Sequence, residues 1–267
     1  MTDAQPIVVL TYGHAGGGRL RQLLATDDSL TITAGTGLLG VCEQAAVMWR
    51  HTEGRPESQL TSLGAVSVRS MAMALISSLT ARTGQRRWCE IASTEPAAAE
   101  TFLGLFPGTR FVCLHRCCPD VIYSTLAASP WGLAGPQYAR FTATYPASTV
   151  AALTSWWVGH AGALVAFEQA NPDACLRLHY EDLLADEGVR NDLWKFLGLG
   201  PETPSLPPIV RSGPDDIGPL TGSSDASALP PEQPGCGKDF PADQIPPDLL
   251  AQVNTLHATL GYPRLTP

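Results

Sequence analysis

Lysine is nearly absent from this 267-residue chain, in which Lys195 and Lys238 are the only two. Acidic residues outnumber basic ones by 25 to 17, giving a net charge of −8 and a pI near 5.2. Nucleic acids and anionic membranes are bound through basic surfaces, so this balance argues against both as partners. Any anionic ligand must be held by a local cluster of donors.

Long hydrophobic runs and paired cysteine motifs are also missing. No run approaches 18 consecutive apolar residues and no secretion signal is visible, so we expect no membrane span and a cytoplasmic location. The seven cysteines show no CxxC spacing, which is typical of buried thiols in a reducing compartment. A zinc site at Cys113, His115, Cys117 and Cys118 is disfavoured because adjacent cysteines do not easily chelate one tetrahedral ion. We therefore predict no metal.

What the chain does contain is an alternation of short β-rich runs and longer helical patterns. The runs predicted as strands are Ile7–Thr11, Leu30–Thr33, Trp88–Ile91, Phe111–His115 and Cys175–His179. The helical patterns lie near 19–26, 38–51, 60–82, 96–106, 119–128, 148–170 and 182–198, with a last one over 247–260. Several strands are apolar throughout, as in a parallel sheet covered on both faces. The order predicts a three-layer α/β fold with a mostly parallel central sheet flanked by helices.

Residues 200–247 differ in composition, since about half of the 23 prolines fall there among Gly, Ser and Asp. A long polar stretch of this kind is typical of a lid, a binding loop or disorder. The helical pattern after it must pack somewhere, which tethers the stretch at both ends. We predict one domain over 1–267 with a loop or lid at 200–247, and interpret residues 129–146 as an irregular insertion.

The stretch "PIVVLTYGHAGGGRLRQLL", residues 6–24, places a glycine-dense turn between the first strand and the first helix. Small residues let the backbone approach an anion, and the amides of a helix N-terminus supply positive potential. The loop lacks the Lys-Ser/Thr of a phosphate-binding P-loop, and a plain flexible turn is the alternative. The candidate anion-binding residues are Gly13, His14, Ala15, Gly16, Gly17, Gly18 and Arg19.

A second candidate lies in "FPGTRFVCLHRCCPDVIYSTL", residues 106–126. Arg116 follows a strand directly, and Ser124 stands two helical turns later, so both could donate to a phosphate. The alternative is that Arg116 pairs with Asp120 and Ser124 is incidental. A third stretch begins "YEDL" at Tyr180 and ends in "FLGL"; its acidic residues are explained equally well by the dipole of the following helix.

Together these stretches resemble the sulfotransferases that use 3′-phosphoadenosine 5′-phosphosulfate (PAPS), whose fold is of the P-loop nucleotide hydrolase type. The 14–18 turn takes the place of their 5′-phosphosulfate loop, and Arg116, Asp120 and Ser124 match the spacing of their 3′-phosphate segment. "FPGTRFVCLHR", "YEDL", "FLGL" and the terminal "LHATLGYP" also resemble that family. The loop is degenerate, because His14 replaces its usual Arg or Lys and Gly17 and Gly18 replace its hydroxyl residues.

The resemblance implies PAPS as donor and PAP as product, bound by residues 13–19, Arg116, Ser124 and Lys238 of a late glycine-containing loop. The alternative interpretation of Lys238 is an exposed lysine in a linker. Trp88-Cys89-Glu90 resembles a strand end in which the family's glutamate deprotonates the acceptor, so Glu90 is the first candidate base; pairing with Arg86 or Arg87 is its alternative. His115 is the second candidate base, and His14 the third catalytic candidate, as a cation near the bridging oxygen.

The implied reaction is sulfuryl transfer to a hydroxyl or amine of a small molecule. The composition is typical of a high-GC bacterium, and the resemblance then implies a secondary metabolite as acceptor. Five aromatic residues could line the acceptor pocket, although residues at such spacing more often belong to the core: Trp49, Trp131, Tyr138, Phe141 and Tyr145. Two other functions stay open. One is a degenerate sulfotransferase fold kept for binding; the other is a kinase-like phosphotransferase, which should have a lysine after the glycines. The expected partners are a small-molecule acceptor and, at most, a second copy of the chain.

Overall fold

The computed structural model describes residues 5–52, 60–93, 95–129, 132–133, 135–200 and 240–266. Its core is a five-stranded sheet in the order β2-β3-β1-β4-β5, and every neighbouring pair is parallel. The strands are β1 Ile7–Thr11, β2 Leu30–Ala34, β3 Arg87–Ser93, β4 Arg110–His115 and β5 Cys175–His179. All five predicted strands are present, and the α/β prediction with a parallel central sheet is confirmed.

In the part of the chain that the structure describes, ten α-helices connect and cover the strands. In chain order they are α1 Gly17–Leu24, α2 Leu38–Thr52, α3 Leu60–Thr83, α4 Pro96–Leu105, α5 Cys118–Ala128, α6 Pro136–Thr144, α7 Thr149–Ala170, α8 Tyr180–Ala185, α9 Glu187–Leu197 and α10 Pro247–Leu260. A one-turn 3₁₀ helix, Ala242–Gln244, precedes α10. The predicted 200–247 loop lies mostly outside the described residues, which resume at Phe240.

The helices form two layers because the side chains of each strand alternate between two buried faces. In β1, Ile7 and Val9 pack with α1, α8 and α9, whereas Val8 and Leu10 pack with α2–α7 and α10. This is why the strands read as continuous apolar runs. The order of the strands reverses beside β1, since β2 and β3 lie on one side of it and β4 on the other. In open α/β sheets the crevice at this switch point is the usual place for a ligand.

Two local predictions were wrong. The insertion interpreted as irregular contains α6, whose Pro136 stands in the first turn and whose Tyr138 and Phe141 are buried at i, i+3 spacing. The helix predicted over 182–198 is two helices, because Asp186 is extended and its side chain accepts a hydrogen bond from the Gly188 amide at 2.7 Å. A residue that caps one helix in this way ends the helix before it.

Among the described residues, two helices are long and apolar enough to cross a bilayer by length and composition: Leu63–Thr83 within α3, and Thr149–Ala170, which is α7. The sequence expectation of no such segment considered only uninterrupted apolar runs, and serine, threonine and glycine interrupt both helices. A core helix passes the same test, and α7 packs against β4, β5 and α10. Helix α3 instead carries several exposed large apolar side chains.

Candidate active site

The glycine-dense turn lies where β1 ends and α1 begins, at the switch point of the sheet. The Ala15 amide donates to the Tyr12 carbonyl at 3.1 Å, and Gly16 is the N-cap of α1 with φ +100° and no side chain to cap the helix. The first turn of α1 contains no acidic residue. The amides of Gly17 and Gly18 therefore stand at an uncapped helix N-terminus, which is a ready-made anion site.

His14 joins this loop to the segment after β4. Its φ of +63° makes it the one described non-glycine residue in the left-handed region, a conformation that costs energy and is concentrated at functional sites. The imidazole Nδ1 lies 3.1 Å from Ser124 Oγ on α5. The His14 carbonyl accepts a hydrogen bond from Arg116 Nη1 at 3.0 Å. Two segments about 100 residues apart in sequence are thus brought together, as predicted.

Arg116 is completely buried. Besides His14, its guanidinium faces the Asp120 carboxylate at 3.7 Å and lies over the Tyr180 ring, 4.7 Å from the ring centre. The first alternative from the sequence, an Arg116–Asp120 pair, is therefore present, but Ser124 is not incidental because it contacts His14. In this arrangement Arg116 stabilises the glycine turn through its hydrogen bond to the His14 carbonyl.

The main chain at Arg116 is fixed as well. Its amide donates to Tyr12 Oη at 3.1 Å, and its carbonyl accepts from Trp157 Nε1 at 3.1 Å and from Tyr12 Oη at 3.2 Å. Burial raises the pKa of the Tyr12 phenol well above its usual value, so Tyr12 stays neutral and can act as both donor and acceptor. The side chains of Tyr12, directly after β1, and of Trp157, on α7, therefore hold the turn that follows β4.

Tyr180 is a site residue that the sequence reasoning did not single out. Its ring fills the space between Gly16 and the Arg116 guanidinium, and a Cβ on Gly16 would overlap that ring. The signal was available in "YEDL", where an aromatic residue follows a strand directly at the same edge of the sheet as the glycine turn. Tyr180 and Gly16 fix the shape of the loop jointly.

The N-terminus of α5 is occupied by side chains, unlike that of α1. The Cys117 amide donates to Glu181 Oε1 at 3.1 Å, and the Cys118 amide lies 3.5 Å from His257 Nε2. Tyr262 donates to the second oxygen of Glu181 at 3.1 Å. The C-terminal "LHATLGYP" segment thus helps to position the turn at Arg116, which gives its resemblance to the family a structural meaning.

A metal at this end of α5 is not supported by the donor chemistry. One ligand atom from each of Cys117, Asp120 and Glu181 lies within 4.8 Å of the others. Both oxygens of Glu181 already accept hydrogen bonds, and burial raises the pKa of the Cys117 thiol far above its usual value. A thiol that resists ionisation is a poor metal ligand.

Glu90 lies on β3 beneath the loop between β2 and α2. One carboxylate oxygen accepts a hydrogen bond from Thr33 Oγ1, and the other accepts from the amide and the hydroxyl of Thr36, at 2.7 and 2.9 Å. The alternative pairing with Arg87 is wrong, because Arg87 donates instead to the Gly198 carbonyl at 3.2 Å. Burial raises the pKa of Glu90 above its ordinary value, partly offset by the threonine donors.

His115 is buried behind Tyr12 and belongs to a charged network. Its Nε2 lies 2.7 Å from Glu168 Oε1, and the other oxygen of Glu168 accepts from Arg177 at 2.7 Å. Burial lowers the pKa of His115 in spite of the neighbouring carboxylate, so the imidazole is held neutral. Its Nδ1 is buried and has no hydrogen-bond partner among the described residues.

The remaining predicted residues are placed as follows. Arg19, on α1, donates to Gln22 Oε1 at 3.0 Å. Lys238 and Trp131 lie outside the described residues. Tyr138 and Phe141 are buried core residues, Trp49 is partly exposed on α2, and Tyr145 packs at the core margin. Of these, Tyr138 lies close to the loop: its hydroxyl would be 4.0 Å from a Cβ on Gly13, and Trp156 would be nearer, at 3.5 Å.

Comparison with solved structures shows the same fold in bacterial sulfotransferase domains. A sulfotransferase domain from the curacin biosynthetic pathway superimposes with a TM-score of 0.59 at 16% identity, covering 98% of this chain and 99% of the other. The sulfotransferase domain of the Synechococcus PCC 7002 olefin synthase gives 0.57 at 17% identity, with 99% and 97% coverage. A sulfotransferase from Alicyclobacillus acidocaldarius gives 0.51 at 13% identity, with 97% of each chain covered.

These identities are low enough that the superpositions establish the fold alone. No curated protein sequence matches the chain significantly. The sequence model described as the sulfotransferase family, however, matches residues 6–202, which include every strand of the sheet, the glycine turn and the segment from Arg116 to Ser124. The chain belongs to the sulfotransferase family.

Proposed function

We propose that this protein transfers a sulfuryl group from PAPS to a hydroxyl or amine of a small molecule, such as a bacterial secondary metabolite. One observation carries the proposal: the His14–Ser124 and His14–Arg116 contacts join the glycine turn to the segment after β4. A nucleotide with phosphates at both ends of its ribose needs two such anion-binding segments in one cleft.

The uncapped N-terminus of α1 fits the 5′-phosphosulfate. The amides of Gly17 and Gly18 supply donors without the hydroxyl residues that the family usually has, and no first-turn carboxylate opposes the anion. Ser124 Oγ, next to His14, fits the 3′-phosphate as a hydroxyl donor. Arg116 acts mainly by holding the loop, while Arg19 and Lys238 are the further cations assigned to the donor.

The transfer needs a base for the acceptor and positive charge on the bridging oxygen that leaves. Glu90 is the base we favour, since β3 is the immediate neighbour of the strand that carries the glycine turn. Its raised pKa makes it a stronger base than an exposed carboxylate. His115 is the second candidate; its Nδ1 is available, but the side chain is buried behind Tyr12. His14 is assigned to the leaving oxygen.

A second candidate function is a sulfotransferase fold kept for binding without catalysis. Two observations favour it: histidine replaces the loop cation, and Arg116 is sealed beneath Tyr180. A kinase-like phosphotransferase fits less well, because Arg19-Leu20 stands where such an enzyme has a lysine and a hydroxyl residue.

Calorimetric titration of the whole chain with PAP, with and without Mg²⁺, separates these functions. We expect metal-independent micromolar binding that Ser124→Ala weakens by about tenfold, the value of one hydrogen bond to a charged group. Ser129→Ala, at the end of the same helix, is the matched control and should leave the affinity unchanged. A Mg²⁺-dependent preference for ATP would favour the phosphotransferase, and no binding by folded protein would overturn the donor assignment.

Catalysis is tested separately with labelled PAPS and a panel of hydroxyl and amine acceptors. Glu90→Gln should lower the turnover by about 10²–10⁴, the usual contribution of a general base, with PAP affinity unchanged. Bound PAPS that is never turned over with any acceptor would favour the binding function. Full activity of Glu90→Gln, together with inactive His115→Gln, would move the base to His115.

A further inference from the structure

Helix α3 has the composition of a core helix but lies largely on the surface. Over its 24 residues it contains neither an acidic residue nor a lysine. Val68, Ala72 and Ile76 form an i, i+4 row that packs into the core. Its apolar window is 22% buried, whereas the equally apolar window of α7 is 56% buried. A helix with so few charged residues, Arg69 and Arg82 alone, is normally covered on most of its sides.

The solvent side of α3 exposes four large apolar side chains. Leu63 is 57% exposed, Val66 60%, Met71 43% and Leu75 41%. The exposed residues between these four, and in the last turns after them, include small uncharged ones: Ser67, Ser70, Ala74, Ser77, Ser78 and Ala81. Contiguous exposed apolar patches of this kind mark interaction surfaces in soluble proteins. Small residues let another helix approach closely along the row.

The size of this surface suits a dimer. An α-helix of 24 residues is about 36 Å long. Helix α2 packs beside it and is about 22 Å long, so with a helix width of about 10 Å the two present a face of about 580 Å². A stable protein–protein interface buries about 600–1,000 Å² of each partner. The α2–α3 face is therefore near the lower end of what one protomer of a dimer contributes.

The charge of the chain indicates which partner covers α3. The chain carries a net charge of −8, so two copies repel each other except through a surface free of acidic residues, and α3 is such a surface. Its only charged residues are Arg69 and Arg82, and Arg69 lies over the Phe106 ring at 5.3 Å, directed into its own protomer. An anionic membrane would be repelled by the acidic chain. A neutral face of apolar and small residues is complementary to itself.

We propose that two copies of this chain associate through α3, with the two helices packed against each other across a two-fold axis. Such an isologous interface places the same residues on both sides. Leu63, Val66, Met71 and Leu75 are then covered by their counterparts, and the row of small residues allows close packing. This proposal concerns assembly and does not depend on the sulfuryl-transfer function.

Sedimentation velocity with the full chain under reducing conditions tests it. The wild type should sediment as a dimer at micromolar concentration, and Ala74→Glu should weaken dimerisation by at least a hundredfold because it introduces like charges at the centre of the interface. Ala258→Glu is the matched control, since Ala258 is an exposed helical alanine on α10. It should sediment as the wild type does.

Three results would overturn the proposal. These are a wild-type monomer at tens of micromolar, a dimer that persists in Ala74→Glu, and a monomer that instead co-sediments with phosphatidylcholine vesicles through the same face. Circular dichroism and thermal unfolding establish that Ala74→Glu is folded, which the exposed position of Ala74 predicts. Met71→Glu, on the same face, provides an independent second variant.

Discussion

Alanine substitutions at Gly16 and Gly18 should have opposite effects on stability, although the two residues are only two positions apart. Gly16 has φ +100°, and a Cβ there would lie 2.9 Å from Tyr180 Cγ and closer still to two other ring atoms. A Cβ on Gly18 would meet no atom within 4 Å. The same substitution therefore tests a position with no room for a methyl group, Gly16, and one with ample room, Gly18, in a single loop.

The magnitudes follow from the structure. At Gly16, the left-handed backbone costs an alanine about 1–2 kcal/mol. Displacement of the Tyr180 ring from the buried Arg116 guanidinium costs about a further 1–2 kcal/mol. Gly16→Ala should thus lower the free energy of unfolding by about 2–4 kcal/mol. Gly18 lies within α1, where alanine is favoured over glycine by about 0.5–1 kcal/mol, so Gly18→Ala should be neutral or stabilising.

Urea denaturation of the two variants measures the difference directly. In a chain of this size 1 kcal/mol corresponds to about 2–4 °C, so a difference of about 2.5–5 kcal/mol should separate the melting temperatures by about 5–20 °C. Gly18→Ala keeps the backbone amide and should bind PAP as the wild type does. Free energies of unfolding that agree within about 1 kcal/mol would refute the packing of Tyr180 against the loop.

Three further perturbations test the buried charges. Arg116→Ala should cost about 3–5 kcal/mol because it leaves Asp120 buried without its cation, and adding Asp120→Ala should restore part of that loss in a double-mutant cycle; additive effects would contradict the pair. Burial raises the pKa of Glu90, so the native state holds its proton more tightly than the unfolded state and loses stability as the pH rises above about 4.5. Urea titrations at pH 4.5 and 7 should show that the free energy of unfolding of Glu90→Gln rises relative to that of the wild type as the pH increases. A difference between the two that is the same at both pH values would refute this. Burial lowers the pKa of His115, so the unfolded state takes up the proton first and stability falls as the pH drops below about 6.5. His115→Gln should flatten that decline in the same titrations, and an unchanged slope would show that His115 is not its source.

Helices and strands that are marked by an apolar run or by helical spacing could be predicted from the sequence. Those whose start or end depends on a single proline or capping residue could not. The boundaries of β1, β5 and α10 agree with the predictions because apolar runs or i, i+3, i+4 spacing define them and Gly261 ends the last helix. Helix α6 was missed because glycine and proline dominate the stretch before it, although Pro136 in fact starts the helix. The break at Asp186 depends on a side-chain cap that the apolar period does not reveal.

The candidate site shows the same division. The glycine turn and Arg116 follow strand ends, so a parallel sheet brings them to one edge, and this could be predicted. The partners within the site depend on the strand order and on side-chain directions. Glu90 illustrates this, because its donors Thr33 and Thr36 belong to the neighbouring strand β2 and the loop after it, whereas the sequence suggested the adjacent arginines. Tyr180 was missed for the same reason, since its neighbour Gly16 lies on a distant part of the chain.

The glycine turn lacks the lysine that usually binds a phosphate. The N-termini of α1 and α5, which lie at the same edge of the sheet, differ in a way that bears on how an anion could be bound there. The first amides of α5 meet the Glu181 carboxylate and the His257 imidazole, so an incoming anion finds a carboxylate already in place. The first turn of α1 has neither a cap nor an acidic residue. Since the dipole of each helix favours negative charge at its start, the open end of α1 is the better placed of the two for the anionic donor that we propose. Under that proposal, an uncapped helix beside a capped one takes the role of the cationic side chain. This arrangement gives Glu181→Gln a definite outcome. Under the proposed function it should leave α5 capped through the amide oxygen, and the affinity for PAP measured by calorimetric titration should stay that of the wild type.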